Sequence, residues 1–260
     1  MSNDSDDIYD PAFVADLFDR CSSNYRRWAA IGSMGFIWLW RRQCVSRLPG
    51  QLALSRHKGS DINKDTPQII DLMAGTGEAW PHVLSIFPKA MIQAIDISKS
   101  MHDQAVERLH TQIAHRIEHR QADVLETDLP DASADIVMST FGLKTLTHTQ
   151  QSQLAKRIAL VLRPGGAFTL IEASDPKGWV LRPLYRLHLD VVLPLIERLF
   201  LKGAQDFSML GVYTRNFGDV THFADALRAE GLFVSQRSHF YGCASSVAGF
   251  KPVAQPVTTP

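Results

Sequence analysis

Apolar residues follow two rhythms along this chain. From residue 68 onward, short apolar runs alternate with stretches whose apolar positions recur every three or four residues. The runs are Gln68–Leu72, Met91–Ile95, a weaker one over Ile117–Ala122, Ala134–Thr140 and Ala167–Ala173. Each has the length of a buried strand. Helical patterns fall between them: Glu78–Phe87, a segment opening at Ser98 or Ser100 and running to about Arg116, and Gln151–Leu162 with Leu154, Ile158, Val161 and Leu162 on one face. Arg163-Pro164-Gly165-Gly166 stops the last of these. A further helix over Asp219–Glu230 ends at Gly231, and Leu232–Gln236 with Ser238–Phe250 reads as an antiparallel hairpin on the sheet edge. The alternation predicts an α/β fold: a doubly wound, mostly parallel, seven-stranded sheet with right-handed crossovers.

Two regions interrupt this pattern. Residues 11–48 read as helices, with Val14, Leu17 and Phe18 at helical spacing. They include Met34-Gly35-Phe36-Ile37-Trp38-Leu39-Trp40, closed by Arg41-Arg42, and three of the protein's five tryptophans lie between Trp28 and Trp40. Such a stretch reads equally as a helix packed on the core, or as a lid over an apolar substrate or a segment lying on a membrane surface. Residues 55–67, polar and rich in breakers, read as a loop or boundary. Trp179–Lys202 is apolar but broken by Pro183, Pro194 and several charges. It is too charged to span a bilayer and too long for a simple connection, so a helical insertion over the substrate side is expected.

In such sheets, ligands sit at the carboxyl ends of the strands. Asp71, Asp96, Asp123 and Thr140 all fall at such ends. The first strand runs into Asp71-Leu72-Met73-Ala74-Gly75-Thr76-Gly77-Glu78, where Gly75 and Gly77 leave room for a ligand against the main chain. The helix N-terminus beyond the turn favours a negatively charged group. A dinucleotide site wants a third glycine at the position of Trp80, which Pro81 follows, so NAD and FAD are disfavoured. S-adenosylmethionine (SAM) brings no pyrophosphate, and two glycines suffice to pass its methionine end. Asp96 lies about 20 residues beyond the turn, where a carboxylate can accept both ribose hydroxyls; a helix cap before Ser98 is the other reading. Asp123 with Val124 would meet the adenine, or Asp123 is a surface turn residue. Asp71 would hold the glycine turn or reach the SAM ammonium through water.

Composition narrows the class. The 260 residues are 45% hydrophobic, enough for one large α/β domain with insertions or a domain plus a small cap. Lys and Arg number 27, as do Asp and Glu, so no general attraction to nucleic acid or to an anionic membrane is expected. Cys21, Cys44 and Cys243 are scattered, which argues against a disulfide framework or zinc knuckle and suits a reducing cytoplasm. The acidic start lacks the basic n-region of a signal peptide, and no apolar run reaches the roughly 20 residues of a membrane span. His110, His115 and His119 form no clean set with a carboxylate, so no metal is expected.

The motifs resemble a family. "FVADLFDRCSSNY…GSMGFIWLWRR" is similar to the N-terminal helices of the ubiquinone/menaquinone C-methyltransferases, and "DLMAGTGE", "AIDIS", "QADV", "STFGL", "VLRPGG" and "LIEASDP" follow that family's order. The likeness covers roughly residues 13–251. It implies a class I SAM-dependent methyltransferase with cofactor contacts at Thr76, Asp96, Asp123, Val124 and Thr140, beside Asp71, Gly75, Gly77 and Ile97. Tyr25, Lys144 and Tyr213 match positions near the family's acceptor site. His148, with His188, His239 and Tyr241, are candidate bases for ring methylation. The expected acceptor is small, apolar and aromatic, such as a prenylated quinol.

The acceptor side departs from the family. Arg26 follows Tyr25 where an Asp is usual, Trp28 falls where an Asn is usual, and Lys144-Thr145 stand where Arg-Asn is usual. Thr214-Arg215-Asn216-Phe217 also differ. Arg to Lys loses the planar fork. An O- or N-methylation of another metabolite or lipid, or a non-methylating use of SAM as in aminoquinone (rhodoquinone) formation, stands as the alternative, and a non-enzymatic binding module as a third.

The expected organisation is a disordered N-terminus over 1–10, a helical cap or lid over 11–66, a SAM-binding methyltransferase domain over 67–251 with its insertion at 175–210, and a loose tail over 252–260. The expected partner is an apolar small molecule, with an isoprenoid quinone as candidate and no nucleic acid. A cytoplasmic protein is expected, with peripheral membrane contact and a homodimer left open.

Overall fold

The computed structural model describes residues 7–55, 65–109, 114–200 and 208–253. The expectations for residues 1–6, the loop over 56–64, His110, Leu201 and Lys202, and the tail from 254 lie outside the described residues.

Seven strands form one sheet: β1 (Gln68–Leu72), β2 (Met91–Asp96), β3 (Ile117–Gln121), β4 (Ala134–Thr140), β5 (Leu162–Ala173), β6 (Phe233–His239) and β7 (Ala244–Phe250). Their order is β3-β2-β1-β4-β5-β7-β6. The first five are parallel, and β7 runs antiparallel to both β5 and β6. The chain crosses from β3 to β4 around β1, so β1 and β4 lie side by side with Ile69 opposite Ile136 and Asp71 opposite Met138. That reversal of winding opens a crevice beyond their carboxyl ends. β5 begins earlier than the apolar run suggested, because Arg163–Gly166 runs on extended with a register shift against Ala134 and Ile136.

Both faces of the sheet are covered, which is why its central strands read as unbroken apolar runs. Ile70, Leu72, Val137, Phe168 and Leu170 pack on one side beneath α7 (His148–Val161) and α11 (Thr221–Ala229). Ile69, Ile136, Met138 and Ala167 pack on the other, with Trp80 and Val83 of α5 (Trp80–Ile86) and Ala105 of α6 (Lys99–Arg108). The period of two along each strand sends alternate residues to opposite layers. Ser98 caps α6 by accepting from Met101 N, and α6 stops at Arg108, short of the expected Arg116, where a 3-10 turn leads into β3. α7 opens three residues early because Thr147 and Gln150 form a capping box.

The N-terminal helices are α1 (Pro11–Cys21), α2 (Tyr25–Gly32), α3 (Ile37–Val45) and α4 (Leu48–Leu54). The insertion holds α8 (Arg182–Leu187), a π-helical turn (His188–Val192), α9 (Leu193–Phe200) and α10 (Ser208–Phe217). Together they build a third core around Leu17, Trp28, Trp40, Tyr185, Leu189 and Tyr213. The aromatic stretch serves two surfaces: Ile37 and Trp40 turn inward, whereas Met34, Trp38 and Leu39 are exposed. Cys44, Val45 and Leu48 are fully buried against the sheet, and Thr169 Oγ1 donates to the Cys44 carbonyl at 3.1 Å. The expected looseness does not extend to residues 7–10. Asp7–Tyr9 forms a 3-10 turn, and the Asp10 carboxylate caps α1 by accepting from Ala12 N at 2.8 Å. No helix among the described residues is long and apolar enough to cross a membrane.

Candidate active site

The loop after β1 is built around an indole. Trp80 Nε1 donates to Asp71 Oδ2 at 2.9 Å, and its ring lies where a side chain on Gly77 would be, 2.3 Å from an added Cβ. Gly75 and Gly77 both adopt positive φ, as does Met73. The residue that stands where a dinucleotide site has its third glycine thus fills the space beneath the turn. Asp71 is buried, its Oδ1 has no hydrogen-bond partner among the described residues, and burial pushes its carboxyl up to about 7.

The turn folds back onto the tip of β2. Gly75 N donates to Asp96 Oδ2 at 2.7 Å and Ser98 N to Oδ1 at 3.0 Å. Each carboxylate oxygen keeps a further lone pair for a ligand hydroxyl. Burial raises the Asp96 carboxyl to about 6 against the pull of these two N–H groups. The next tip, after β3, presents Asp123, Val124 and Leu125, with Asp123 Oδ1 accepting from Leu125 N at 2.8 Å. On the other side of β1, Thr140 ends β4 and Phe141 follows with a φ of 69°. Gly142 comes so close to Met73 that an added Cβ would stand 2.5 Å from the Met73 Cβ. Two left-handed non-glycine residues, Met73 and Phe141, therefore follow β1 and β4 and line the same cavity, and such backbone strain clusters at ligand sites.

These tips line one cavity. Gly75, Asp96, Ile97, Asp123, Val124 and Thr140 of the expected cofactor set reach it. Asp71, Thr76 and Gly77 do not; they form the turn from behind, Thr76 giving its hydroxyl to Glu78. α1 roofs the cavity with Val14 and Phe18. It is fastened by Asp19, whose Oδ1 accepts from Ser98 Oγ at 2.6 Å and Ser100 N at 2.8 Å. Glu78 also lines the cavity, with Arg26 Nε at 3.8 Å and Arg41 Nη2 and Arg108 Nη1 each at 3.6 Å.

A second cavity adjoins the first. Phe18, Tyr25 and Phe141 line both. Its walls are apolar, from Leu17, Ile37 and Trp40 of the cap to Tyr185, Leu189 and Leu210 of the insertion. Few polar groups face it. Lys144 Nζ donates to Glu172 Oε1 at 2.9 Å and to the Phe141 carbonyl at 3.1 Å, leaving one of its three hydrogens to spare. Glu172 is fully buried and also accepts from Lys144 N and Ala173 N. Thr214 is 1% exposed and its hydroxyl has no partner among the described residues.

The expected acceptor-side residues separate here. Tyr25 and Lys144 line the second cavity. Tyr213 lines it too, but its hydroxyl donates to the Ile8 carbonyl and ties down the N-terminal turn. His148 is brought to neither cavity: it is exposed and stacks on His222 with ring centroids 4.0 Å apart. His188 bonds the Ile31 carbonyl, Tyr241 is exposed, and His239 is held between Gln43 and Ser246, where burial lowers it to about 4. Sequence reasoning passed over Arg41, Glu78, Asp19, Glu172 and the indole of Trp80. Only the charge of Arg41 and Glu78 inside apolar or glycine-rich stretches signalled them.

A model of the ubiE/COQ5 methyltransferase family matches residues 4–251. The demethylmenaquinone methyltransferase of Lactiplantibacillus plantarum is 28% identical over 245 residues, 92% of this chain and 95% of the relative. That of Listeria monocytogenes serotype 4b is 25% identical over 247 residues, 93% and 97% of the two chains. Among solved structures, magnesium protoporphyrin IX methyltransferase from Synechocystis PCC 6803 with bound SAH superposes with a TM-score of 0.60 at 17% identity, covering 93% of this chain and 99% of that one. Phosphoethanolamine N-methyltransferase 2 of Haemonchus contortus in complex with S-adenosyl-L-methionine gives 0.62 at 14% identity, covering 92% and 60%.

Proposed function

Because the chain belongs to the ubiE/COQ5 methyltransferase family and its cofactor is SAM, we propose that it methylates a ring carbon of a prenylated quinol seated in the second cavity. The observation that carries this reading is the pairing of the two cavities across Phe18, Tyr25 and Phe141, one rimmed by strand tips and the other apolar with a single buried ammonium. The first cavity fits the cofactor: Asp96 offers lone pairs to a ribose, Val124 and Leu125 give an apolar slot for a base, and Asp123 an acceptor for its amine. When bound, SAM supplies a methyl group already activated on sulfonium.

The chain's own work is then alignment and the management of one proton. In this reading the spare Lys144 hydrogen and the Thr214 hydroxyl bind the quinol oxygens. An ammonium in an apolar wall favours an acceptor hydroxyl bound as its oxyanion, its proton released to bulk water on binding, and this enriches the neighbouring ring carbon; the proton that this carbon sheds on methylation would leave to water as the site opens. Glu172 holds Lys144 in place. Burial raises the Tyr25 hydroxyl above its ordinary value, so it stays protonated at neutral pH and acts as a donor rather than a base. α1 and the aromatic walls exclude water.

The same helical segment that lines the cavity inside with Tyr185 and Leu189 exposes Leu184, Leu187, Val191, Leu195 and Leu199 outside, with Arg186 and Arg198 among them. We propose that this face rests on an anionic membrane from which a prenyl tail enters. Sedimentation with anionic vesicles is expected for the wild type and not for a Leu195→Glu, Leu199→Glu variant.

The test of the reaction is incubation with methyl-labelled SAM and a demethylated prenyl quinol, followed by mass spectrometry. A product labelled on a ring carbon supports it. Label on oxygen or nitrogen, or a changed quinone without label, overturns it.

A further inference from the structure

Arg41 is a buried cation that this protein leaves incompletely satisfied. Its side chain is 4% exposed, against 59% for Arg26 and 37% for Arg108. It lines the cofactor cavity, its guanidinium carbon sits 5.4 Å above the centre of the Phe141 ring, and its Nε has no hydrogen-bond partner among the described residues. Its only ion pair among the described residues is a 3.6 Å approach to Glu78, a carboxylate it shares with two other arginines. Neither of the other carboxylates nearby pairs with it among the described residues: Asp71 makes its hydrogen bond to the Trp80 indole, and Asp96 accepts from the N–H groups of Gly75 and Ser98. A desolvated donor without a partner is costly unless something fills its place.

The sheet order says which part of the cofactor comes near. The tips lie in the sequence β3, β2, β1, β4. A ribose at Asp96, the tip of β2, with the base toward Asp123 beyond β3, sends the rest of the molecule toward the β1 turn and β4. Phe141 follows β4, and Arg41 lies over it. The group arriving there is the amino-acid tail, which carries a carboxylate.

We propose that Arg41 grips the cofactor's methionine carboxylate and that three arginines around one glutamate form an anion site completed by the ligand. Guanidinium suits a carboxylate by its planar fork, and burial strengthens the pair. Arg26 and Arg108 hold Glu78, and Glu78 in turn steers Arg41. The inference rests on the cofactor reading and on nothing about the acceptor.

Calorimetry with S-adenosylhomocysteine, its decarboxylated analogue and 5′-methylthioadenosine tests it. Wild type is expected to bind the decarboxylated analogue roughly ten- to a hundredfold more weakly than S-adenosylhomocysteine. Arg41→Met is expected to lose a similar factor toward S-adenosylhomocysteine, to become indifferent to the carboxylate, and to keep its affinity for 5′-methylthioadenosine. Arg41→Lys should keep part of the discrimination. Wild type that fails to discriminate overturns the assignment whatever the variants do, as does Arg41→Met that discriminates as wild type does. Failure of wild type to bind S-adenosylhomocysteine at all would instead overturn the cofactor reading.

Discussion

Trp80 and Asp71 are joined by a 2.9 Å hydrogen bond that crosses beneath the glycine turn. The bond ties the first turn of α5 to the end of β1 and fixes the height of the loop that carries Gly75. Asp71 already has one oxygen without a partner among the described residues and a carboxyl pushed up to about 7 by burial. Removing the indole N–H orphans the second oxygen as well. Trp80→Phe keeps a ring near Gly77 but removes the donor together with part of the buried indole, so it should cost at least about 1–3 kcal/mol in urea unfolding. A loss well below that range would mean that Asp71 is already protonated and bonded elsewhere.

Gly142 touches Met73 across the crevice between β1 and β4. Its φ of −113° is one any residue adopts, so the demand for glycine is space alone. Gly142→Ala should push Met73 away, weaken SAM binding by roughly tenfold or more and lower the melting temperature. Pairing it with Met73→Gly should restore much of the affinity, which titration calorimetry reads directly.

Asp96 gives the cofactor site a pH dependence. Burial holds its free carboxyl at about 6, and ribose hydroxyls donate to the ionised form, so binding lowers that value. Affinity is then full above about pH 6 and falls as pH drops below it, by at most about tenfold per unit. Calorimetry from pH 5 to 8 should show this decline in wild type. Asp96→Asn should bind weakly at every pH with the slope gone.

Asp19 is the fastening of the roof. It accepts from Ser98 Oγ and Ser100 N, linking α1 to the start of α6. Asp19→Ala leaves Ser100 N without its partner and should cost about 1 kcal/mol of stability. Its larger effect should be kinetic: SAM leaves several times faster in stopped-flow displacement. An unchanged off-rate would show that α1 does not gate the cavity.

The alternation of apolar runs determined the sheet, because strands buried on both faces need unbroken hydrophobic sequence. It also placed Asp96, Asp123 and Thr140 at strand ends, since carboxyl ends of parallel strands are fixed by chain direction alone. The acceptor side was not readable in that way. Tyr25, Lys144 and Tyr213 are spread over three elements, and which of them faces a cavity depends on how the cap and insertion pack. Tyr213 turned to the Ile8 carbonyl, His148 to His222, and Lys144 to Glu172. Arg41 looked like the polar end of an aromatic stretch, yet α3 lies against the sheet and buries it beside Phe141. Local pattern fixes which element a residue belongs to, whereas its partner lies on another element, from 28 residues away for Lys144 and Glu172 to 205 for Tyr213 and Ile8, and only the packed structure decides those.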